Sequence, residues 1–377
     1  MTQNMVQAAP ARLLSLDVFR GITVAAMILV NNPGDWGHIY APLQHAHWDG
    51  CTPTDLVFPF FLFMVGVSIV YALSNKKADP ATHSKTIFRV LKRSLIIFGI
   101  GIFLALFPDF DFANLRIPGV LQRIAVVFFF SSIIFLKTST RVQLFLMAFI
   151  LLLYWTLMTL VPVPGIGEPN LEPSTNLGAW LDNKLLPGHL WASSKIWDPE
   201  GILSTLPAIV TGLSGVLAGK WLRSPADAAH KTAGLLLYGN LSMLGGLIWN
   251  LAFPINKALW TSSYVLYTAG LAAIGLGICY WFIDVKEYKA WTKPFAAFGM
   301  NAITVYVIAG LLPSILNMIQ LTGPGGTPMG LRRYINELLF IPYFNPENAS
   351  LLAALLFVFI CFIPIWIMYQ RRIIIKI

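Results

Sequence analysis

The sequence predicts an all-α, polytopic membrane protein of about ten transmembrane helices with both termini cytoplasmic. Three observations carry this. Only 11% of the 377 residues are charged and 56% are hydrophobic, against about 25% charged in a soluble domain. Apolar runs near the ~20 residues that cross a bilayer recur throughout: 13–31, 54–74, 87–107, 118–136, 142–161, 201–222, 232–252, 259–283, 294–317 and 349–369. Finally, Lys and Arg are shared very unequally between alternate loops. The runs should be helical, because lipid offers no partner to an unpaired backbone group.

Orientation follows from the basic residues. With an even number of spans, 19 of the 26 Lys and Arg, from Arg12 to Lys376, fall on the side of the termini. That side should be cytoplasm. The net charge of +9 then reflects topology, with attraction to anionic lipid as a second effect, and gives no reason to expect nucleic acid. The opposite side holds 12 of the 17 carboxylates. It also holds the two longest loops, 162–200 and 318–348, whose Pro, Gly and Asn suggest exposed, irregular periplasmic segments. The first run has neither the basic lead nor the small-x-small site of a cleavable signal. Cys51, Cys279 and Cys361 are too scattered for a disulfide framework or a cysteine metal site. One membrane domain over 1–377 is expected.

In the first run, "RLLSLDVFRGITVAAMILVNN", Asp17 and Arg20 share a helix face. Asn31 lies on the same face, ~16 Å beyond Arg20 along the axis. Ionisable groups inside a span are functional candidates, although Asp17–Arg20 also reads as an interfacial anchor.

The loop 32–53 contains no Lys or Arg but holds His38, His45 and His47 beside Asp49, with Asp55 just after. A carboxylate there can orient an imidazole. A neutral imidazole can take a proton from an amine or hydroxyl, or attack an acyl carbon. His-x-His followed by Asp can also bind zinc, or the cluster is simply interfacial. In "NLRIPGVLQRIAVV", Arg116 and Arg123 fall seven apart on one helix face. They either snorkel to the interface or meet a carboxylate or phosphate. In "WDPEGILST", Asp198, Pro199 and Glu200 read as N-cap, N1 and first turn of the next helix, or as carboxylates facing a substrate amine. In "FPINKALWTSSY", Asn256, Lys257 and Trp260 sit at the mouth between two spans, where an aromatic belt is expected anyway and where rings also stack on sugars.

These residues together carry a resemblance. "SLDVFRG", "VNN", "HAHWDGCTPTDLVFPFFLFMVG", "RIPGVLQR", "DPEGILST", "PINKALWTSSY" and "GMNAI" resemble, in matching order over about residues 12–310, the heparan-α-glucosaminide N-acetyltransferase family of membrane acetyltransferases. The resemblance implies acetyl transfer from cytosolic acetyl-CoA to the amine of a glucosamine-type sugar at the periplasmic face. It implies that His45, in the family's H-A-x-W-[ND]-G pattern, is catalytic, with His47 at the variable position, and that Asn31 lies at the active site. Asp49 or Asp55 would then hold the imidazole. Asp198, Glu200, Asn256, Lys257 and Trp260 would meet the sugar, and Arg20, Arg116 and Arg123 the CoA phosphates. No metal is implied. The chain begins shortly before its first apolar run, so a bacterial relative without the extra luminal domain of the animal enzyme is expected, in the inner membrane. Large aromatic faces would meet lipid or, in a homodimer, a second copy.

Two other readings fit less of the pattern. A transporter for amino sugars or their oligomers would place its site at the midplane among broken helices. A metal-dependent hydrolase would use His45, His47 and Asp49.

Overall fold

The structure is a computed structural model, and it describes residues 13–323 and 326–375. Arg12 and Lys376, counted above towards orientation, lie outside them. The fold is almost wholly helical. In chain order the helices are α1 (Leu14–Asn31), α2 (Val57–Lys77), α3 (His83–Leu106), α4 (Val120–Lys137), α5 (Thr140–Leu160), α6 (Leu177–Leu185), α7 (Thr205–Leu222), α8 (Ala228–Trp249), α9 (Ser262–Cys279), α10 (Thr292–Met300), α11 (Ala302–Met318), α12 (Leu331–Leu339) and α13 (Pro346–Gln370). A wide helical turn, Tyr280–Val285, extends α9. A hairpin of β1 (Gln320–Thr322) and β2 (Pro328–Gly330) precedes α12.

Each of the ten apolar runs is helical, but not all are simple spans. Among the described residues eight helices are long and apolar enough to cross a membrane. The run at 87–107 is α3, whose first half carries Lys85, Arg89, Lys92 and Arg93. The run at 294–317 is not one straight helix. It is α10 and α11, bent by 82° at their junction, and together they make a ninth candidate span. Asn301 sits at the break and is buried. Its Nδ2 donates to the Ile373 carbonyl at 3.1 Å and its Oδ1 accepts from the Ile375 N–H at 3.2 Å. The segment after α13 thus satisfies this buried polar side chain at the junction.

Close packing at small residues holds the bundle. A Cβ on Gly66 of α2 would lie 1.8 Å from the Gly212 carbonyl of α7. One on Gly299 of α10 would lie 1.8 Å from the Asp17 carbonyl of α1. Such contact replaces the hydrophobic drive that lipid cannot supply between helices. The two long loops are more ordered than their composition suggested. Loop 162–200 contains α6 and buries Asn176 and Asp182, and loop 318–348 contains the hairpin and α12. Short elements that depend on tertiary burial leave little periodicity to read.

Candidate active site

The loop between α1 and α2 is tied down from below by Asp55. Pro53–Leu56 form a tight helical turn leading into α2. One carboxylate oxygen of Asp55 accepts the N–H groups of Ala46 and Thr52 at 3.0 Å each and the Thr52 hydroxyl at 3.1 Å. The other lies 2.7 Å from His45 Nδ1. A carboxylate only accepts, so the tautomer that makes this bond is the one with the proton on Nδ1, and in that tautomer the Nε2 lone pair is available for chemistry. The Tyr264 hydroxyl of α9 donates to the Asp55 carbonyl at 2.5 Å, which fixes the turn against the bundle.

Lys257 completes the cluster. Its Nζ lies 2.9 Å from His45 Nδ1, 3.3 Å from Nε2 and 3.5 Å from an Asp55 oxygen. Burial pushes its ammonium below the usual lysine range, and Asp55 and Glu200 offset that in part. The loop 250–261 is itself pinned to the histidine loop. Gly50 N–H donates to the Ile255 carbonyl at 2.7 Å, and Asn256 Nδ2 donates to Asp49 at 3.1 Å. Asn256 Oδ1 accepts the Leu259 N–H at 2.9 Å.

Among the expected site residues, His45, Asp55 and Lys257 therefore come together. Asp49 holds Asn256 instead of the imidazole. His47 is exposed and makes no hydrogen bond among the described residues. Among those residues no three His, Cys, Asp or Glu side chains converge as a metal site requires. Cys51 lies beside the cluster, but burial and Asp55 push its thiol up to about 12, so it does not supply a thiolate. Asn31 ends α1 and is exposed, with no hydrogen bond to His45 among the described residues.

The second carboxylate pair is engaged by arginine. Arg116 precedes α4 instead of lying on it, so it shares no helix face with Arg123. Its Nε and Nη2 clasp Asp198 at 2.8 and 2.6 Å, and Nη2 also reaches Glu200 at 2.6 Å. Burial opposes the charge, yet the two carboxylates hold this guanidinium well above its ordinary value. Asp198 is consequently not a helix N-cap. α7 starts only at Thr205, and Asp198 closes its own turn by accepting the Glu200 N–H at 2.9 Å. Arg123 is wholly inside. It donates to the Gly201 carbonyl at 3.1 Å and to the Ser204 hydroxyl, and its plane lies 5.0 Å above the Trp260 ring. Its Nε and Nη1 have no partner among the described residues. Trp260, expected at the mouth, is 0% exposed and packs edge-on to Phe58 and Tyr264. Trp48 and Trp197 meet edge-on at 5.2 Å, which brings the "HWDG" and "WDPEG" stretches together.

At the other end of α2 lies a cavity of about 380 Å³. Arg20, Lys76, Arg89 and Arg93 line it, with Ser68 and Asn301 and an apolar wall that includes Phe61 and Ile124. Arg20 donates to the Gly299 carbonyl at 3.1 Å and to Ser68 Oγ at 2.6 Å, and lies 3.6 Å from Asp17. From Lys76 to Phe61 the α2 axis rises ~22 Å, and Asp55 stands roughly 10 Å further on. Sequence reading missed this cavity. It took Lys76, Arg89 and Arg93 only as orientation charges, although Arg89 and Arg93 share a face at i,i+4.

Fold and site together define a polytopic helical membrane protein with a carboxylate-held histidine at one face and a cation-lined cavity opening from the other. Comparison with known proteins places it further. Residues 12–245 match the family described as heparan-alpha-glucosaminide N-acetyltransferase, catalytic, and the chain belongs to that family. It is 33% identical over 80% of its length to heparan-alpha-glucosaminide N-acetyltransferase of Homo sapiens, and 32% identical over 78% to that of Mus musculus. In each case 53% of the relative is covered, so the chain spans about half the length of the curated relatives it matches.

Proposed function

We propose that this protein moves an acetyl group from cytosolic acetyl-CoA to the amine of a glucosamine-type sugar at the periplasmic face of a bacterial inner membrane. The observation that carries the reading is the placement of two unlike sites along α2. The cation-lined cavity suits a CoA polyphosphate with its pantetheine arm running inward. The histidine–carboxylate pair stands beyond the cavity's apolar end.

In this reading His45 Nε2 takes a proton from the sugar amine as the amine nitrogen bonds to the acetyl carbon and the carbon–sulfur bond breaks. The proton then passes to the departing thiolate. Alternatively, Nε2 attacks the thioester first and the carbon–sulfur bond breaks, with CoA leaving as its thiolate. The amine then takes the acetyl group from the ring and gives up a proton to the thiolate, which frees the neutral imidazole. Asp55 keeps the ring in the competent tautomer under both routes. Lys257 lies where it can share Nε2 until an acceptor amine displaces it. Glu200 and Asp198 present negative charge nearby to an amino sugar, while Arg116 limits how much of it is free.

The break at Asn301 favours one other reading, a transporter for amino sugars, because discontinuous helices are how transporters build sites. Purified protein with radiolabelled acetyl-CoA and glucosamine separates the two. The enzyme reading expects label on the sugar, lost on His45→Ala and retained on His47→Ala. Label held on protein without sugar marks the two-step route. No label transfer to glucosamine or its oligomers by the parent chain, with sugar uptake into proteoliposomes, would establish transport instead.

A further inference from the structure

A second cavity lies outside the site described so far, and most of its lining falls beyond residues 12–245 that match the family. It is about 240 Å³, between α11, α12, α13 and the loop at 33–36. Its rim is polar. Arg332 donates one hydrogen bond among the described residues, from Nη2 to the Pro33 carbonyl at 2.8 Å, and its guanidinium lies 5.4 Å over the Phe357 ring. Asn336, one turn along α12, is 7% exposed. Its Nδ2 donates to the Gly34 carbonyl at 3.4 Å, but its Oδ1 is buried without a partner. Arg333 is already held by Glu337 at 2.8 Å. The rest of the lining is mostly apolar, with Leu316, Phe340, Leu356, Phe357 and Ile360.

The depth of these residues matters. α13 starts at Pro346, on the face that carries the His45 loop. Ala353 and Ile360 therefore lie ~10 and ~21 Å along its axis, so the cavity runs from that face to about the bilayer midplane. A guanidinium above the Phe357 ring, an orphan acceptor one turn along α12 and an apolar wall reaching Ile360 match one kind of molecule. A sugar would find no polar floor. A free phosphate would leave the shaft unfilled. A zwitterionic choline head would bring no donor to Asn336.

We propose that this cavity binds one anionic phospholipid bearing a headgroup hydroxyl, as in phosphatidylglycerol. Its phosphate meets Arg332, its hydroxyl donates to Asn336 Oδ1, and an acyl chain lies against Leu356, Phe357 and Ile360. Such a lipid would pin α12 and the hairpin onto α13 and fix Pro33 and Gly34 at the end of α1.

The test uses the full chain in phosphatidylcholine nanodiscs with trace phosphatidylglycerol carrying a photoreactive acyl chain, and maps labelled peptides by mass spectrometry. Labelling should concentrate on residues 351–362 and be competed by unlabelled phosphatidylglycerol but not by phosphatidylcholine. It should fall about five-fold on Arg332→Gln, and likewise on Ala353→Phe, which fills the shaft and leaves the arginine. Equal labelling of the segment by a photoreactive phosphatidylcholine would overturn the proposal. So would equal competition by soluble glycerol phosphate, which would indicate a headgroup ligand only. Because competition is read on the parent chain, the outcome does not depend on either variant folding.

Discussion

His45 and Asp55 are joined at 2.7 Å, yet the imidazole side chain is 45% exposed and the carboxylate 1%. The buried partner is held by the backbone around it, and the exposed partner is held by the buried one. In the proposed reaction Asp55 is therefore a positioning residue, and Asp55→Asn isolates that role. The amide fits the space, and its oxygen can still accept from Thr52 and Ala46. Its NH₂ would then face Nδ1 and force the proton onto Nε2, where a lone pair is needed. Turnover should fall by roughly 10²–10⁴-fold with little change in melting temperature. Unchanged turnover would show that the tautomer does not matter.

Lys257 should act on the same ring by charge. With its Nζ 2.9 and 3.3 Å from the two ring nitrogens, Lys257→Met leaves His45 facing Asp55 without a competing cation. The ring then loses one of its two polar neighbours, so kcat should drop roughly ten-fold at an unchanged KM for the sugar, and Lys257→Arg should restore part of it. A rise in KM for the sugar with an unchanged kcat would instead assign Lys257 to acceptor binding.

Much of the fold was legible because lipid imposes one period and one length on every span. The residue pairs of the site were less so. Asp49 and Asp55 are equivalent as neighbours of His45 in sequence. Only the tight turn at Pro53–Leu56 aims Asp55 at the ring, while the approach of the 250–261 loop takes Asp49 for Asn256. Asp198 and Glu200 matched a helix start, and the competing pull came from Arg116, distant in sequence. Trp260 looked like belt or platform, but a left-handed backbone at φ 53° turns it inward beneath Arg123. The cation-lined cavity was hidden because the residues that line it also read as orientation charges.

The Arg116 clasp should be structural before it is functional. Asp198 is 0% and Glu200 8% exposed in their side chains, so Arg116→Met strands two carboxylates. Breaking a buried pair by removing one partner costs roughly 3–5 kcal/mol. The variant should melt well below the parent, and adding Asp198→Asn should recover part of the loss. Equal melting of parent and Arg116→Met would show that water reaches these carboxylates freely.

The cavity cations should govern the donor and not the chemistry. Arg93 lies 4.9 Å over the Phe128 ring, and Lys76 and Arg89 share the cavity wall with it. Neutralising any one should raise KM for acetyl-CoA about five- to ten-fold at low salt and leave kcat nearly intact. Arg20 is a poor choice for this test because it also bonds Gly299 and Ser68. Losses in kcat at unchanged KM would place the nucleotide elsewhere.

Asp182 sets a dependence of stability on pH. It is buried in α6, where it accepts the Ile202 N–H at 2.8 Å. Burial pushes its carboxyl up to about 6, against the opposing pull of that N–H and of Arg123. In the unfolded chain it titrates near ~3.9. Below ~4 both states hold the proton and the fold bears no penalty. As pH rises towards 6 the unfolded chain ionises first, so folding loses stability through that window, by roughly 3 kcal/mol once both are ionised. Asp182→Asn keeps an acceptor for Ile202 and does not titrate. It should therefore melt above the parent at pH 7.5, and the gap should close between pH 6 and 4. Contributions from groups not coupled to Asp182 cancel in the difference. A gap that stays constant from pH 4 to 8 would mean that Arg123 neutralises Asp182 across the bundle, and that this arginine and not the sugar is what the loop carboxylates serve.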